Sequence, residues 1–311
     1  MTITMKKRDE VKELIALRSL HYRLTLSEKD NKRYANIVKG FEGEKRFDQL
    51  TEALQADIYL LHDICLDQNH SVFQIDTLLI SEKEIVLFEI KNYEGDFLYE
   101  SGVFRILSTN QEILNPLHQL NRSLTLLRSL LKRMKSNMTI KGYLVFINPE
   151  FTLYQAPADI PIILPSQLKR FMEGINKTPS VLSREHRQLA EHLLKMHLPH
   201  SPYAREPHFQ YQHLQKGIFC PLCHSFMTRK NVLKTVCEKC GYVEGLDASI
   251  IRSTEELKLL FPDMRITRAL VQEWCRVIDS SKTIRRVLAQ NFTQKGSKKQ
   301  RYYVDKLSES E

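Results

Sequence analysis

Asp76, Glu89 and Lys91 are the residues of this sequence whose types and spacing could do hydrolytic chemistry together. Two carboxylates can hold Mg²⁺ or Mn²⁺, hard cations that prefer oxygen ligands. Such an ion lowers the pKa of a bound water and polarises a phosphoryl oxygen, and an adjacent amine can position the water or offset charge on a phosphate. The plainer reading of the same residues is a salt bridge at a strand end, and both readings stand at this point. A second set is Cys220, Cys223, Cys237 and Cys240, two C-x-x-C knuckles separated by residues 224–236. Four thiolates at that spacing suit tetrahedral Zn²⁺ as a structural ion, with no coordination position left for a water. The rival is a redox pair, which usually occurs singly in a thioredoxin-like pattern.

The elements that must position the acids are short and apolar. Val72–Ile80 (VFQIDTLLI) and Ile85–Lys91 (IVLFEIK) are rich in β-branched and aromatic residues, which predicts two buried strands. Side chains alternate along a strand, so Glu89 and Lys91 share a face. A hairpin of the two runs brings Asp76 near the Glu89 end, where charges must be paired or hold a metal. Upstream, Gly40 and Gly43 predict a loop before a helix over Lys45–Leu54. Glu44 then either favours the helix dipole or faces the site. Downstream, Asn115-Pro116 opens a helix to about Lys135 with a leucine stripe, and Gln119 lies in its first turns, exposed or facing the site.

The order Asp76, then Glu89-x-Lys91, has the D…(D/E)-x-K form of restriction-endonuclease-like nucleases. With Gly40-Phe41-Glu42-Gly43-Glu44, Phe88–Gly95 (FEIKNYEG) and Asn115–Leu120 (NPLHQL), the stretch from about 36 to 150 resembles the NERD (nuclease-related) domain of that superfamily. The resemblance implies a mixed sheet flanked by helices. It also implies that Asp76, Glu89 and Lys91 are the catalytic acid, acid and lysine, with Glu44 the acid of the preceding helix and Gln119 the helix glutamine.

Composition sets the outer bounds. The 311 residues hold room for two or three domains, and 42% hydrophobic with 27% charged residues is ordinary for a soluble globular protein, while the strand and helix order points to an α/β core. The net charge of +9 suits a polyanionic partner. No apolar run is long enough for a membrane span, and the first residues lack a signal core, so a cytoplasmic protein is expected. Four of the six cysteines fall in the knuckles, leaving Cys65 and Cys275, a pattern that fits a reducing compartment with a metal site.

In chain order, residues 1–35 read as an N-terminal helical segment with one charged helix over 6–27, and its Arg18 and Arg23, with Lys29 just beyond, are expected in solvent. Residues 36–198 read as the nuclease-like domain. It takes in strands near Asp57–Cys65, Lys141–Asn148 and Ile160–Leu164, a hairpin over Phe97–Ser108 that extends the sheet, and helices over Gln167–Gly174 and Val181–His197. His62, His70, His186, His192 and His197 lack ligand spacing and are read as ordinary hydrogen-bonded or surface histidines. A Pro- and His-bearing linker follows over 199–216, then the zinc ribbon over 217–246. Residues 247–311 read as a small helical module of helix-turn-helix or winged-helix type, its first helix capped by Ser253-x-x-Glu256. Lys282, Arg285, Arg286, Lys295, Lys298, Lys299 and Arg301 fall between 282 and 304 with no acid among them, a density suited to phosphate contacts. The functional expectation is a Mg²⁺- or Mn²⁺-dependent nuclease, on DNA, carrying structural Zn²⁺. The alternative is a nucleic-acid-binding protein that uses the nuclease-like core as a scaffold without turnover.

Overall fold

Thr2, Ile3 and Thr4 are β-branched, and the chain opens as a strand rather than with the expected helical segment. The computed structural model describes residues 1–198, 209–297 and 300–306. In chain order the elements begin with β1 (Thr2–Lys6), α1 (Lys12–Arg23), α2 (Glu28–Glu52), β2 (Ile58–Gln68), β3 (Ser71–Ile80) and β4 (Glu84–Lys91). There follow β5 (Gly95–Glu100), β6 (Val103–Ile106), β7 (Gln111–Ile113), α3 (Pro116–Arg133), β8 (Thr139–Phe146), β9 (Phe151–Tyr154) and β10 (Ile162–Ile163). The remainder is α4 (Leu168–Lys177), α5 (Arg184–Lys195), β11 (Thr228–Arg229), β12 (Lys234–Val236), β13 (Val243–Gly245), α6 (Leu246–Leu260), α7 (Arg268–Cys275), α8 (Ser281–Asn291), β14 (Thr293–Lys295) and β15 (Tyr302–Val304).

The chain divides into two compact units, Met1–Glu10 with Ala35–Arg205, and Val11–Tyr34 with Glu206–Glu311. The segment 1–35, expected as one piece, is therefore shared between them. The helix expected over 6–27 is shorter, and Arg8 precedes it.

The first unit is a mixed α/β structure. Its main sheet has the order β1-β2-β3-β4-β8-β10. The β2, β3 and β4 strands form an antiparallel meander, whereas β1, β8 and β10 pair parallel with their neighbours. Alternation along β4 divides the core. Ile85 and Leu87 join the cluster that includes Leu120, Leu124, Leu127 and Leu131 of α3, and Val86, Phe88 and Ile90 join Phe47 of α2 and Met172 of α4. Each such Leu or Phe, fully buried, contributes about 1.5–3 kcal/mol, so the α3 stripe alone holds that helix against the sheet. The Phe97–Ser108 hairpin does not extend this sheet. It forms a separate one, β7-β6-β5-β9, with an extra strand β9 parallel to β5.

Gly40 and Gly43 also differ from expectation, because both lie inside α2 and not in a loop before it. At Gly43 the reason is space. A Cβ there would fall 2.5 Å from Asn92 Cβ and 3.1 Å from Ile147 Cγ2, so the glycine lets the helix approach the ends of β4 and β8. The same Gly-rich signal that marks turns here marks close packing.

In the second unit, β11, β12 and β13 form a three-stranded antiparallel sheet, followed by α6, α7, α8 and the β14–β15 hairpin. The helix α6 begins at Leu246, so Ser253-x-x-Glu256 is mid-helix, with Ser253 buried, and caps nothing. Ser280 does cap α8, its Oγ accepting from Thr283 N at 3.3 Å. Residues 199–208 of the linker lie outside the described residues, as do Lys298 and Lys299.

Candidate active site

The site is a fork in the main sheet. The β3–β4 ladder runs from Ile80↔Ile85 to Thr77↔Phe88 and stops. Beyond that point β3 continues with β2, while β4 stays paired to β8 as far as Lys91↔Phe146. Into the gap turns Asp76, whose Oδ2 accepts the Ile90 N–H at 2.8 Å, the place a neighbouring strand's carbonyl would take. A backbone irregularity accompanies the fork. Asp63 has a left-handed φ of 53°, and the β2–β3 register passes from His62↔Thr77 to Ile64↔Ile75. Tyr59 and Leu61, then Ile64 and Leu66, belong to one core, so the strand changes the face it presents at Asp63. A non-glycine residue in that region costs energy and is over-represented at working sites.

Glu89 and Lys91 share the face of β4 that α3 covers. Lys91 Nζ donates to Glu89 Oε1 at 2.7 Å and to Gln119 Oε1 at 3.0 Å. Asn115 sets the start of α3 by accepting from Leu117 N at 2.9 Å, with Pro116 at the first helical position, and this places Gln119 over the lysine. Glu89 is fully buried, and its second oxygen, Oε2, is buried without a hydrogen-bond partner. An ionised oxygen in that setting is costly unless it meets a proton or a cation.

Glu44 and Asp48 lie one helical turn apart on α2 and meet the same buried arginine. Arg8 Nη1 donates to Glu44 Oε2 at 2.8 Å, and its Nε and Nη2 donate to the two Asp48 oxygens at 2.8 and 3.0 Å. Asp48 Oδ1 is also 3.0 Å from His62 Nδ1, which lies 3.1 Å from Thr77 Oγ1. The structure thus brings Glu44, Asp76, Glu89, Lys91 and Gln119 to one end of the sheet, and adds Arg8, Asp48 and His62.

Crowded carboxylates perturb one another. Burial first, and then the Asp76 charge, raise Glu89 to about 8, and the same two causes raise Glu44 to about 8. Asp76 is itself raised by burial, against the pull of Lys91 and the Ile90 N–H. Burial lowers Lys91, but Glu89 and Asp76 outweigh it and the net shift is upward. Asp48 is pushed up by burial yet held below the usual carboxylate range by His62 and Arg8. For Glu44 and Glu89 the folded pKa exceeds the usual 4.5. Their stability contribution is therefore complete below about 4.5, declines as pH rises, and is gone above about 8. Chelator-treated protein should melt at progressively lower temperature from pH 5 to 8, and Glu89→Gln should flatten that slope. A wild-type slope identical to that of Glu89→Gln counts against the shared ionisation.

Among the described residues, the group of three or more potential ligands that closes to within 4.8 Å is Cys220, Cys223, Cys237 and Cys240. The three carboxylates Glu44, Asp76 and Glu89 spread more widely. The four thiols could hold a metal ion as a zinc-ribbon-like module. The Ser225 backbone N–H lowers Cys223 to about 6, whereas Cys240, though the Tyr242 backbone N–H lowers it, is raised by burial and the neighbouring thiols to about 12.

In the second unit Arg23, expected in solvent, is fully buried. It donates to both Glu256 oxygens at 3.0 and 2.6 Å and to the Gln215 and Gly217 carbonyls, between the Phe219 and Trp274 rings. Of the basic residues singled out near the C-terminus, Lys282, Arg285, Arg286 and Lys295 are exposed and Arg301 is half-buried. Arg286 is engaged by both oxygens of Asp247 at 2.6 and 2.8 Å. No helix among the described residues is long and apolar enough to cross a membrane.

Sequence reasoning missed Arg8, Asp48 and the role of His62, since no local spacing links residues that meet only through the fold. The one available signal was the four-residue spacing of Glu44 and Asp48. No curated protein and no solved structure matches the chain. A family model does match, described as NERD, nuclease-related domain, over residues 39–147, which takes in Glu44, Asp48, His62, Asp76, Glu89, Lys91 and Gln119 but not Arg8. The sheet fork and the acids around it thus lie within the stretch, residues 39–147, that matches the NERD nuclease-related domain.

Proposed function

We propose that this protein is a Mg²⁺- or Mn²⁺-dependent nuclease that hydrolyses phosphodiester bonds in DNA. The observation that carries the reading is the convergence of Asp76, Glu89 and Lys91 at the sheet fork, with Glu89 Oε2 buried and unpartnered. Asp76 and Glu89 would hold the ion, with Glu44 as a further acid on the rim. A bound divalent ion supplies an acidified water and polarises a phosphoryl oxygen. Lys91, fixed between Glu89 and Gln119, offsets charge on the phosphate and orients the attacking water. The Glu89 carboxylate keeps the lysine protonated, and Gln119 holds its ammonium in one orientation.

The second unit is assigned to substrate delivery. Its four cysteines hold structural Zn²⁺. The helices α6–α8 with the β14–β15 hairpin serve as a winged-helix-like module, with Lys282, Arg285, Lys295 and Arg301 as its phosphate contacts. Arg286, paired with Asp247, contributes less.

The test is purified protein with plasmid, linear duplex and single-stranded DNA, with Mg²⁺, with Mn²⁺ and with EDTA. Cleavage that needs the divalent ion supports the reading. DNA retention that ignores EDTA, without cleavage under any divalent ion, favours the non-catalytic scaffold instead.

A further inference from the structure

We propose that Arg8 is a positioning residue for the divalent-cation site, so that a residue from outside the 39–147 match completes it. The inference rests on the functional reading above. Arg8 follows β1, and the parallel pairing of β1 with β2 brings it beside the fork. Its side chain is 2% exposed. A guanidinium is so buried only when its charge is met, and here each of its three nitrogens has an acceptor. Nε and Nη2 grip both Asp48 oxygens, Nη1 holds Glu44 Oε2, and Nη2 also donates to the Asp76 backbone carbonyl at 2.6 Å.

Two of those partners are members of the site itself. Glu44 is 23% exposed and long enough to swing into solvent, and Arg8 holds it through Oε2. The Asp76 carbonyl is fixed at the point where β3 leaves β4, so the same fork sets the direction of the Asp76 side chain. The acids Glu44, Asp48, Asp76 and Glu89 outnumber Arg8 and Lys91 in this cluster.

Removing Arg8 has two opposed effects on an ion. It deletes a repelling charge, and it frees Glu44 and the Asp76 backbone. The first is absent from Arg8→Lys, which keeps the charge but loses the guanidinium fork. The second is of the kind that costs roughly 10–100-fold in metal affinity when an outer partner of a ligand is lost, and it is the larger.

The experiment measures Mn²⁺ uptake by electron paramagnetic resonance of the free ion, at one pH, for wild type, Arg8→Gln, Arg8→Lys, Glu44→Gln and Arg8→Gln/Glu44→Gln. Circular dichroism and melting temperature report folding. Arg8→Gln should weaken Mn²⁺ binding roughly 10–100-fold. Arg8→Lys should also weaken it, since one ammonium cannot span Asp48 and Glu44. In the Glu44→Gln background, Arg8→Gln should cost clearly less than in wild type, the mark of a shared interaction, with the remainder carried by the Asp76 carbonyl. Should Arg8→Gln fail to fold, Arg8→Lys with and without Glu44→Gln gives the same cycle. Binding by the Arg8 variants that is as tight as wild type or tighter overturns the proposal, as does full multiplication of the two losses. Wild type that takes up no Mn²⁺ at all sinks the divalent-ion reading as well, and so separates the two failures.

Discussion

Asp76→Asn is expected to lower divalent-dependent cleavage about a thousandfold, near 4 kcal/mol in transition-state stabilisation, with little change in melting temperature. Asparagine keeps an oxygen in place to accept the Ile90 N–H, so the fork survives. What it loses is the negative charge that would hold the cation. Lys91→Ala should match that loss by another route. Without Lys91, the buried Glu89 loses its ammonium partner and its carboxylate is pushed further toward the protonated, ligand-poor form. Cleavage rates with wild-type and variant protein, alongside thermal melts, measure both. Rates within tenfold of wild type in both folded variants would remove the site.

The second large effect is expected at the cysteines. The strands β11, β12 and β13 have two, three and three residues, too few to hold a sheet by themselves. Cys220 and Cys237 are buried within the core of the second unit, beside Ile218 and Met227. A structural zinc site contributes roughly 10–16 kcal/mol in small zinc-dependent domains. Elemental analysis should find one zinc per chain in wild type and none in Cys237→Ser, whose backbone amides over 218–246 should exchange much faster with deuterium. Wild-type protein free of zinc, or unchanged exchange in the variant, would falsify the assignment.

Much of the site was legible because its chemistry is local. Glu89 and Lys91 are two apart on one strand, Asp76 lies on the run before it, and the cysteine knuckles carry their geometry in their spacing. Asn115-Pro116 announces the start of α3 by the capping rules, and Gln119 follows at a fixed offset. The glycines were legible as special positions, but their meaning was not. Gly43 reads as a turn until Asn92 and Ile147, distant in sequence, are seen to occupy the space of its missing Cβ.

The failures have a common cause. Arg23 and Arg8 sit in charged stretches near the N-terminus, and propensity assigns such residues to solvent. Each is buried because acids far along the chain meet it, Glu256 for Arg23 and Glu44 with Asp48 for Arg8. Ser253-x-x-Glu256 satisfies the capping pattern, yet the helix had already begun at Leu246. In that case Glu256 serves Arg23 rather than a helix end.

By itself, then, the sequence determined which acids and lysine to bring into one argument, the spacing of the four cysteines that could hold a metal, and the apolar alternation that buries β3 and β4. Only the tertiary structure decided where β3 and β4 part, how Asp63 turns its strand, and that Arg8 closes the acidic cluster. The reason is physical. Residue type and spacing encode contacts within a turn or a strand pair, whereas a buried charge is placed by whichever distant partners repay its desolvation.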